Sequence, residues 1–202
     1  MAKPKRVAVF GGAFDPPHLT HLALIETALA QLALDELHVI PTGQAWHKSR
    51  SLSPAVHRIA MANLAFGSVA KVLIDARETR RTGPSYTIDT LRELQAEQPG
   101  SELFLLVGGD QARALPSWRA WQDVVANAII CIAERQDNST ALSAKHLYPW
   151  LPDRILHLSL PLSPISATDV RLRVARGEDV SPLVGPAVAR YIAQHQLYST
   201  ST

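Results

Sequence analysis

Six short runs, apolar almost end to end and separated by helical patterns, constrain this chain more than any other feature. They are RVAVF (6–10), ELHVIP (36–41), KVLIDA (71–76), ELFLLVG (102–108), AIICIAE (128–134) and RILHLSL (154–160). A strand with one wet face alternates polar and apolar residues, whereas a strand covered on both faces need not. Between the runs lie LTHLALIETALAQLAL (19–34), SPAVHRIAMANLAF (53–66) and TIDTLRELQAEQ (87–98). Ser53 is placed to cap the second helix, with Pro54 as its first helical residue. The PG that follows residue 98 stops the third. Strands alternating with helices build βαβ units and a parallel sheet. The expected architecture is one α/β domain over 1–202, a doubly wound, mostly parallel sheet. Two helices, SATDVRLRVARG (166–177) and PAVARYIAQHQLY (186–198), close the chain. The polar, irregular stretch 135–153 reads as an exposed excursion.

Composition narrows the function classes. The chain has 202 residues and a net charge of only +2, so no strong field marks a nucleic-acid polymer as its partner. Arg nevertheless outnumbers Lys, which suits bidentate contact with the phosphates of small molecules. The single cysteine, Cys131, lies in an apolar run and reads as a buried small side chain, with neither a disulfide nor a metal cluster. No run has membrane-spanning length, and MAKPKR lacks the apolar core of a signal peptide. A soluble cytoplasmic protein is expected, with monomer or homo-oligomer left open.

The chemistry concentrates after the first strand, in VAVFGGAFDPPHLTHLALIE (7–26). Gly11 and Gly12 lack Cβ atoms and let backbone N–H groups approach a phosphate. Neither the dinucleotide fingerprint nor the Walker spacing is met. Instead His18 and His21 stand at i and i+3, on one face of a helix N-terminus where the dipole favours an anion. Two ring N–H donors there suit a phosphate that gains charge during reaction. The competing readings are a zinc site, which would need a third ligand at zincin spacing, or packing histidines, which would not explain the Gly-Gly and Pro-Pro turn.

Elsewhere the residues alone are less specific. In PISATDVR (164–171) Ser166 can cap a helix, with Asp169 as capping-box partner, leaving a helix N-terminus and Arg171 to face an anion. An ordinary capped helix with a solvated Arg is the plain alternative. Ser85 and Thr87 can start a helix that Tyr86 packs. Trp118, after Pro116 in a polar loop, is a stacking platform for a flat ring or an anchor of the loop. Asp110 follows a strand at the carboxyl end where ligands of open α/β sheets bind. There it can accept ribose hydroxyls or cap the next helix. His47 and Lys48 read as phosphate contacts or as a solvated pair. His38, His57, His146, His157 and His195 read as structural or surface residues.

GGAFDPPHLTH resembles the G-x-F-D-P-x-H-x-G-H signature of the nucleotidyltransferase α/β-phosphodiesterase superfamily, and PISATDVR resembles its second signature, I-S-S/A-T-x-x-R. GPSYTIDTL (83–91), GGD (108–110), LPSWRAW (115–121) and IPTGQAWHK (40–48) are similar to the bacterial nicotinate-mononucleotide adenylyltransferases within it. One departure is Thr20, where the family has Gly. The resemblance implies a Rossmann-like fold and transfer of AMP from ATP to nicotinate mononucleotide, giving deamido-NAD and pyrophosphate. It implies His18, His21 and Arg171 as catalytic residues, with ATP held by Gly11, Gly12, Phe14, Lys48, Asp110, Ser166 and Thr168. The mononucleotide would meet His47, Ser85, Tyr86, Thr87, Trp118 and Arg119. Mg²⁺ would arrive with ATP, with no protein ligand of its own. The C-terminal helices from about 166 would complete the ATP site. The alternatives that stay open are a nicotinamide-mononucleotide or phosphopantetheine acceptor, or a non-catalytic nucleotide-binding regulator on the same fold.

Overall fold

The computed structural model describes residues 3–43, 52–135, 155–160 and 165–199. Six strands form one sheet: β1 (Arg6–Gly12), β2 (Glu36–Pro41), β3 (Val72–Ile74), β4 (Glu102–Gly108), β5 (Ile129–Arg135) and β6 (Ile155–Leu160). Their spatial order is β3-β2-β1-β4-β5-β6 and every pairing is parallel. The order reverses between β1 and β4. There the crossovers diverge to opposite faces and leave a crevice beyond the strands' carboxyl ends.

β1 runs two residues further than the apolar run predicted. Gly11 and Gly12 pair with Ile40 and Pro41, and the Thr42 N–H donates to the Gly12 carbonyl at 2.8 Å. The glycines are therefore the end of a strand rather than a turn after it.

The helices are α1 (Leu19–Gln31), α2 (Ala55–Phe66), α3 (Arg77–Arg80), α4 (Thr87–Glu97), α5 (Gly109–Ala114), α6 (Trp121–Asn127), α7 (Ala167–Ala175), α8 (Ser181–Val184) and α9 (Pro186–Gln194). A 3₁₀ turn, Leu115–Ser117, links α5 to α6. The expected cap of α2 is corrected. Pro54 itself is the N-cap, with no side-chain capping bond, and Ser53 lies outside the helix with its N–H on the Asp15 carboxylate. The ring fixes φ of Pro54, and its extended ψ of 141° places it before the first helical residue.

The sheet is apolar on both faces because both are covered. On one, Leu24, Ile25 and Ala28 of α1 with Ala62 and Phe66 of α2 bury Ala8, Phe10, Phe104 and Leu106. On the other, Ile88, Leu91 and Leu94 of α4 with Val124 of α6 bury Val7, Val9, Leu105 and Ile132. The C-terminal helices make a third cluster, in which Val170, Val184, Val188 and Ile192 pack on Met61, a side chain of α2. This places α7 beside the β1–α1 turn. Cys131 is fully buried, and burial pushes its thiol up to about 12. Among the described residues no helix is long and apolar enough to cross a membrane.

Candidate active site

The crevice wall at β1 is built by the turn that follows it. A Cβ on Gly11 would meet nothing within 4 Å, so this strand end is open to an approaching group. Gly12 has a different reason: its Cβ would sit 3.0 Å from the Phe14 ring. Phe14 takes φ +48°, the left-handed region, at a cost on the order of 1–2 kcal/mol. Its ring is only 2% exposed and packs edge-on against Phe10, His21 and Phe66, with centroids 5.4, 5.2 and 5.9 Å away. That packing offsets the strain, and it leaves only the Phe14 backbone for any contact with a nucleotide.

His18 is the N-cap residue of α1, with extended backbone, and its N–H donates to His21 Nδ1 at 3.2 Å. A nitrogen that accepts cannot carry the proton, so neutral His21 is protonated on Nε2. The two rings stack with centroids 3.7 Å apart and planes at 25°. Burial lowers the His18 pKa to about 4, so it is uncharged at neutral pH. His18 Nδ1 is buried with no hydrogen-bond partner among the described residues. The pair is thus neutral and stacked: a source of N–H donors rather than of charge.

The second motif is fastened to the same turn. Arg171, on α7, donates Nη1 to the Asp15 carbonyl at 2.8 Å and Nη2 to Thr168 Oγ1 at 3.0 Å. Thr20 Oγ1 donates to the Ile165 carbonyl at 3.5 Å, so the residue standing in place of glycine joins the two motifs. Ser166 caps α7, accepting from the Asp169 N–H at 3.1 Å. The expected reciprocal half of the box is replaced: the Asp169 carboxylate takes Arg173 Nε at 3.2 Å. Ser166 and Thr168 are exposed at this helix start.

A second group gathers at the ends of β2 and α4. Tyr86 is the N-cap of α4 and Thr87 its first residue. The Arg119 guanidinium lies over the Tyr86 ring, 4.8 Å from its centroid. Trp118 is half-buried and packs at the margin of the same core cluster as Tyr86. It is not the fully exposed platform that its polar loop suggested. Ser85 Oγ donates to the Glu78 carbonyl at 3.2 Å. Asp110 lies in the first turn of α5, which Gly108 rather than Asp110 caps, and its side chain is 92% exposed and paired with Arg113. His47 and Lys48 lie outside the described residues.

Sequence reasoning missed the residues that hold these groups in place. Glu78 is 8% exposed and accepts from Thr90 Oγ1 at 2.8 Å and from the Thr42 hydroxyl, joining β2, α3 and α4. Burial pushes its carboxyl up. A Cβ on Gly43 would fall 2.2 Å from the Glu78 carbonyl oxygen. Arg58, 2% exposed, donates to the Ser53 and Ala13 carbonyls at 2.9 and 3.1 Å. In sequence they read as ordinary helix or loop residues; only Asp15, inside the quoted motif, carried a signal. Of the other histidines, His38 is buried between Glu36 and Asp75, and His57 meets Tyr191 Oη at 3.0 Å. A cavity of about 690 Å³ opens at the opposite end of the sheet from the His18–His21 turn, lined by Lys3, Arg6, Ser101 and Asn127.

The chain has relatives in sequence and in fold. Residues 9–173 match the cytidylyltransferase-like family. The chain is 53% identical over 197 residues to a protein of Albidiferax ferrireducens named as a probable nicotinate-nucleotide adenylyltransferase, covering 98% of this chain and all of that one. A Methylibium petroleiphilum protein of the same name is 40% identical over 96% of this chain and 93% of its own length. Among solved structures, the Plasmodium falciparum nicotinic acid mononucleotide adenylyltransferase complexed with NaAD superposes with a TM-score of 0.74. It is 18% identical, covering 96% of this chain and 97% of that one, and so attests the fold. Matched by the family model over most of its length and by close relatives end to end, the chain belongs to the nicotinate-nucleotide adenylyltransferases of the cytidylyltransferase-like family.

Proposed function

We propose that this protein transfers the adenylyl group of ATP to nicotinate mononucleotide, giving deamido-NAD and pyrophosphate. The observation that carries the site assignment is the neutral His18–His21 stack at the open end of β1, tied through the Asp15 turn to Arg171. The relatives' names supply the reaction.

An oxygen of the acceptor's 5′-phosphate is already ionised at pH 7 and is the nucleophile. It bonds to the α-phosphorus as the bond from that phosphorus to the bridging oxygen breaks, and pyrophosphate leaves with the electron pair. No protein base is needed, so the chain's work is alignment and the stabilisation of charge on the α-phosphoryl oxygens. Gly11 lets the nucleotide approach the strand end. His18 and His21 supply N–H donors where charge grows. Ser166 and Thr168 at α7, with Lys48, hold the phosphates, and Arg171 meets the charge that grows on the α-phosphoryl group. Tyr86, Thr87, Trp118 and Arg119, with Ser85 and His47, receive the mononucleotide, and Asp110 stands at the β4 end for the ATP ribose.

The donors placed here are imidazole, guanidinium and hydroxyl groups, and no group of three or more His, Cys, Asp or Glu among the described residues could hold a metal ion. They fit phosphates that bring their own cation: ATP enters as its Mg²⁺ complex, and the ion offsets phosphate charge. Pyrophosphate release from ATP and Mg²⁺ with nicotinate mononucleotide, nicotinamide mononucleotide and phosphopantetheine side by side tests the reading. The highest kcat/KM is expected with nicotinate mononucleotide. Preference for nicotinamide mononucleotide would overturn the substrate, and absence of turnover with all three would overturn the reaction.

A further inference from the structure

The turn that carries His18 is held from the far end of the chain. Asp15 is 2% exposed, and its carboxylate accepts hydrogen bonds from two distant parts of the chain. Oδ2 accepts the Ser53 N–H at 3.1 Å, and Oδ1 accepts the Tyr198 hydroxyl at 2.6 Å, across 183 positions of sequence. The carbonyl of the same residue accepts Arg171 Nη1 at 2.8 Å. Asp15 is thus the point where the segment before α2, the helix α7 and the C-terminal segment meet, three residues before His18. A buried carboxylate depends on its donors, and a hydrogen bond to a charged acceptor is the stronger kind.

Tyr198 is built for this contact. Its backbone takes φ +64°, as Gln196 takes +49°, so the chain turns back after α9 through two left-handed residues that are not glycine. Its ring packs against the Met61–Val188–Ile192 cluster. Burial and the facing carboxylate push its phenol up, keeping the proton on oxygen for donation to Asp15.

We propose that Tyr198 is a positioning residue for adenylyl transfer, fixing through Asp15 the turn that sets the His18–His21 pair and the Arg171 guanidinium against the reacting phosphate. The proposal rests on the reading of those three residues as the reacting centre. Because it goes through backbone placement, it predicts an effect on kcat with little effect on substrate capture.

The test is Tyr198→Phe, which keeps the ring and removes the hydroxyl. Two readouts are needed. With ATP, Mg²⁺ and nicotinate mononucleotide, kcat should fall about tenfold while both KM values stay within about twofold; misplacement by about 1 Å costs up to about a hundredfold. Independently of any substrate, ¹⁵N-edited spectra of the imidazoles should show the His21 ring losing its single tautomer, as the His18 N–H to Nδ1 bond loosens. If the variant folds poorly, trimethylamine oxide restores the compact state and both readouts are taken there beside wild type. A lowered melting temperature with unchanged kcat and unchanged ring signals would make Tyr198 a structural anchor and overturn the proposal. So would a fall in kcat with the His21 signals unmoved. If wild type itself shows no turnover, the functional reading fails, and the imidazole spectra alone decide whether Tyr198 sets the turn.

Discussion

At the scale of single residues, the site works by neutrality. Two imidazoles stacked at 3.7 Å cannot both be protonated cheaply, and burial lowers one of them to about 4. Donors that matter only when charge develops should affect kcat and kcat/KM together. His21→Ala should therefore lower both, on the order of 10²–10³-fold, the range for one preorganised donor; a rise in KM with kcat intact would assign His21 to ground-state binding. The same burial links His18 to stability. Above its unfolded pKa of 6.5 both states hold it neutral. Below that, the unfolded chain takes up a proton that the folded chain refuses down to about 4. Stability therefore falls as pH drops through this window, by about 2 kcal/mol from this group between pH 7.5 and 5. Urea unfolding of wild type and His18→Asn at both pH values measures it: acidification should erode wild type more than the variant. The motif made this pair legible as a unit on one helix face. Its tautomer and charge state were not legible, because they depend on the His18 N–H, on the burial of His18, and on Phe10 and Phe14 packed against the His21 ring.

At the scale of elements, long and strongly apolar segments announced themselves, and short ones did not. α1, α2, α4, α7 and α9 fall within their predicted ranges, because each spans two turns or more of helical periodicity. α3, α5, α6 and α8 are four to seven residues long and have too little periodicity to read. β1 reads short in sequence because Gly11 and Gly12 have no strand propensity, yet pairing with Ile40 and Pro41 holds them extended. The junction of β2, α3 and α4 was invisible for another reason: Glu78 and Gly43 are defined only by what they touch. A side chain at Gly43 would need to displace the Glu78 carbonyl, 2.2 Å away. Gly43→Ala should destabilise the fold by about 1–3 kcal/mol, the range for overpacking. It should also raise KM for the mononucleotide more than KM for ATP, since Ser85 and Tyr86 move with Glu78. Equal effects on the two KM values would place this junction elsewhere in the cycle.

At the scale of the whole molecule, alternation of apolar strands and helices predicted a parallel sheet, but not the order β3-β2-β1-β4-β5-β6. Strand order is a matter of pairing between segments distant in sequence, and nothing local in RVAVF or ELFLLVG says that β1 and β4 are neighbours. That neighbouring creates the crevice. It brings the turn after β1 and the start of α5 after β4 to one end of the sheet, while α7 reaches the same turn through Arg171. The C-terminal helices pack on α2 rather than on the sheet, which is how a motif near the end of the chain comes to face one near its start. The central claim is that this crevice aligns two substrates for direct transfer, with no covalent adenylyl-enzyme between them. The measurement that tests it most directly uses ATP made chiral at the α-phosphorus by sulfur, with nicotinate mononucleotide as acceptor and the configuration of the dinucleotide product determined. A single in-line displacement inverts that centre, and inversion is the predicted result. Retention would require two displacements through a protein nucleophile, and would contradict the account.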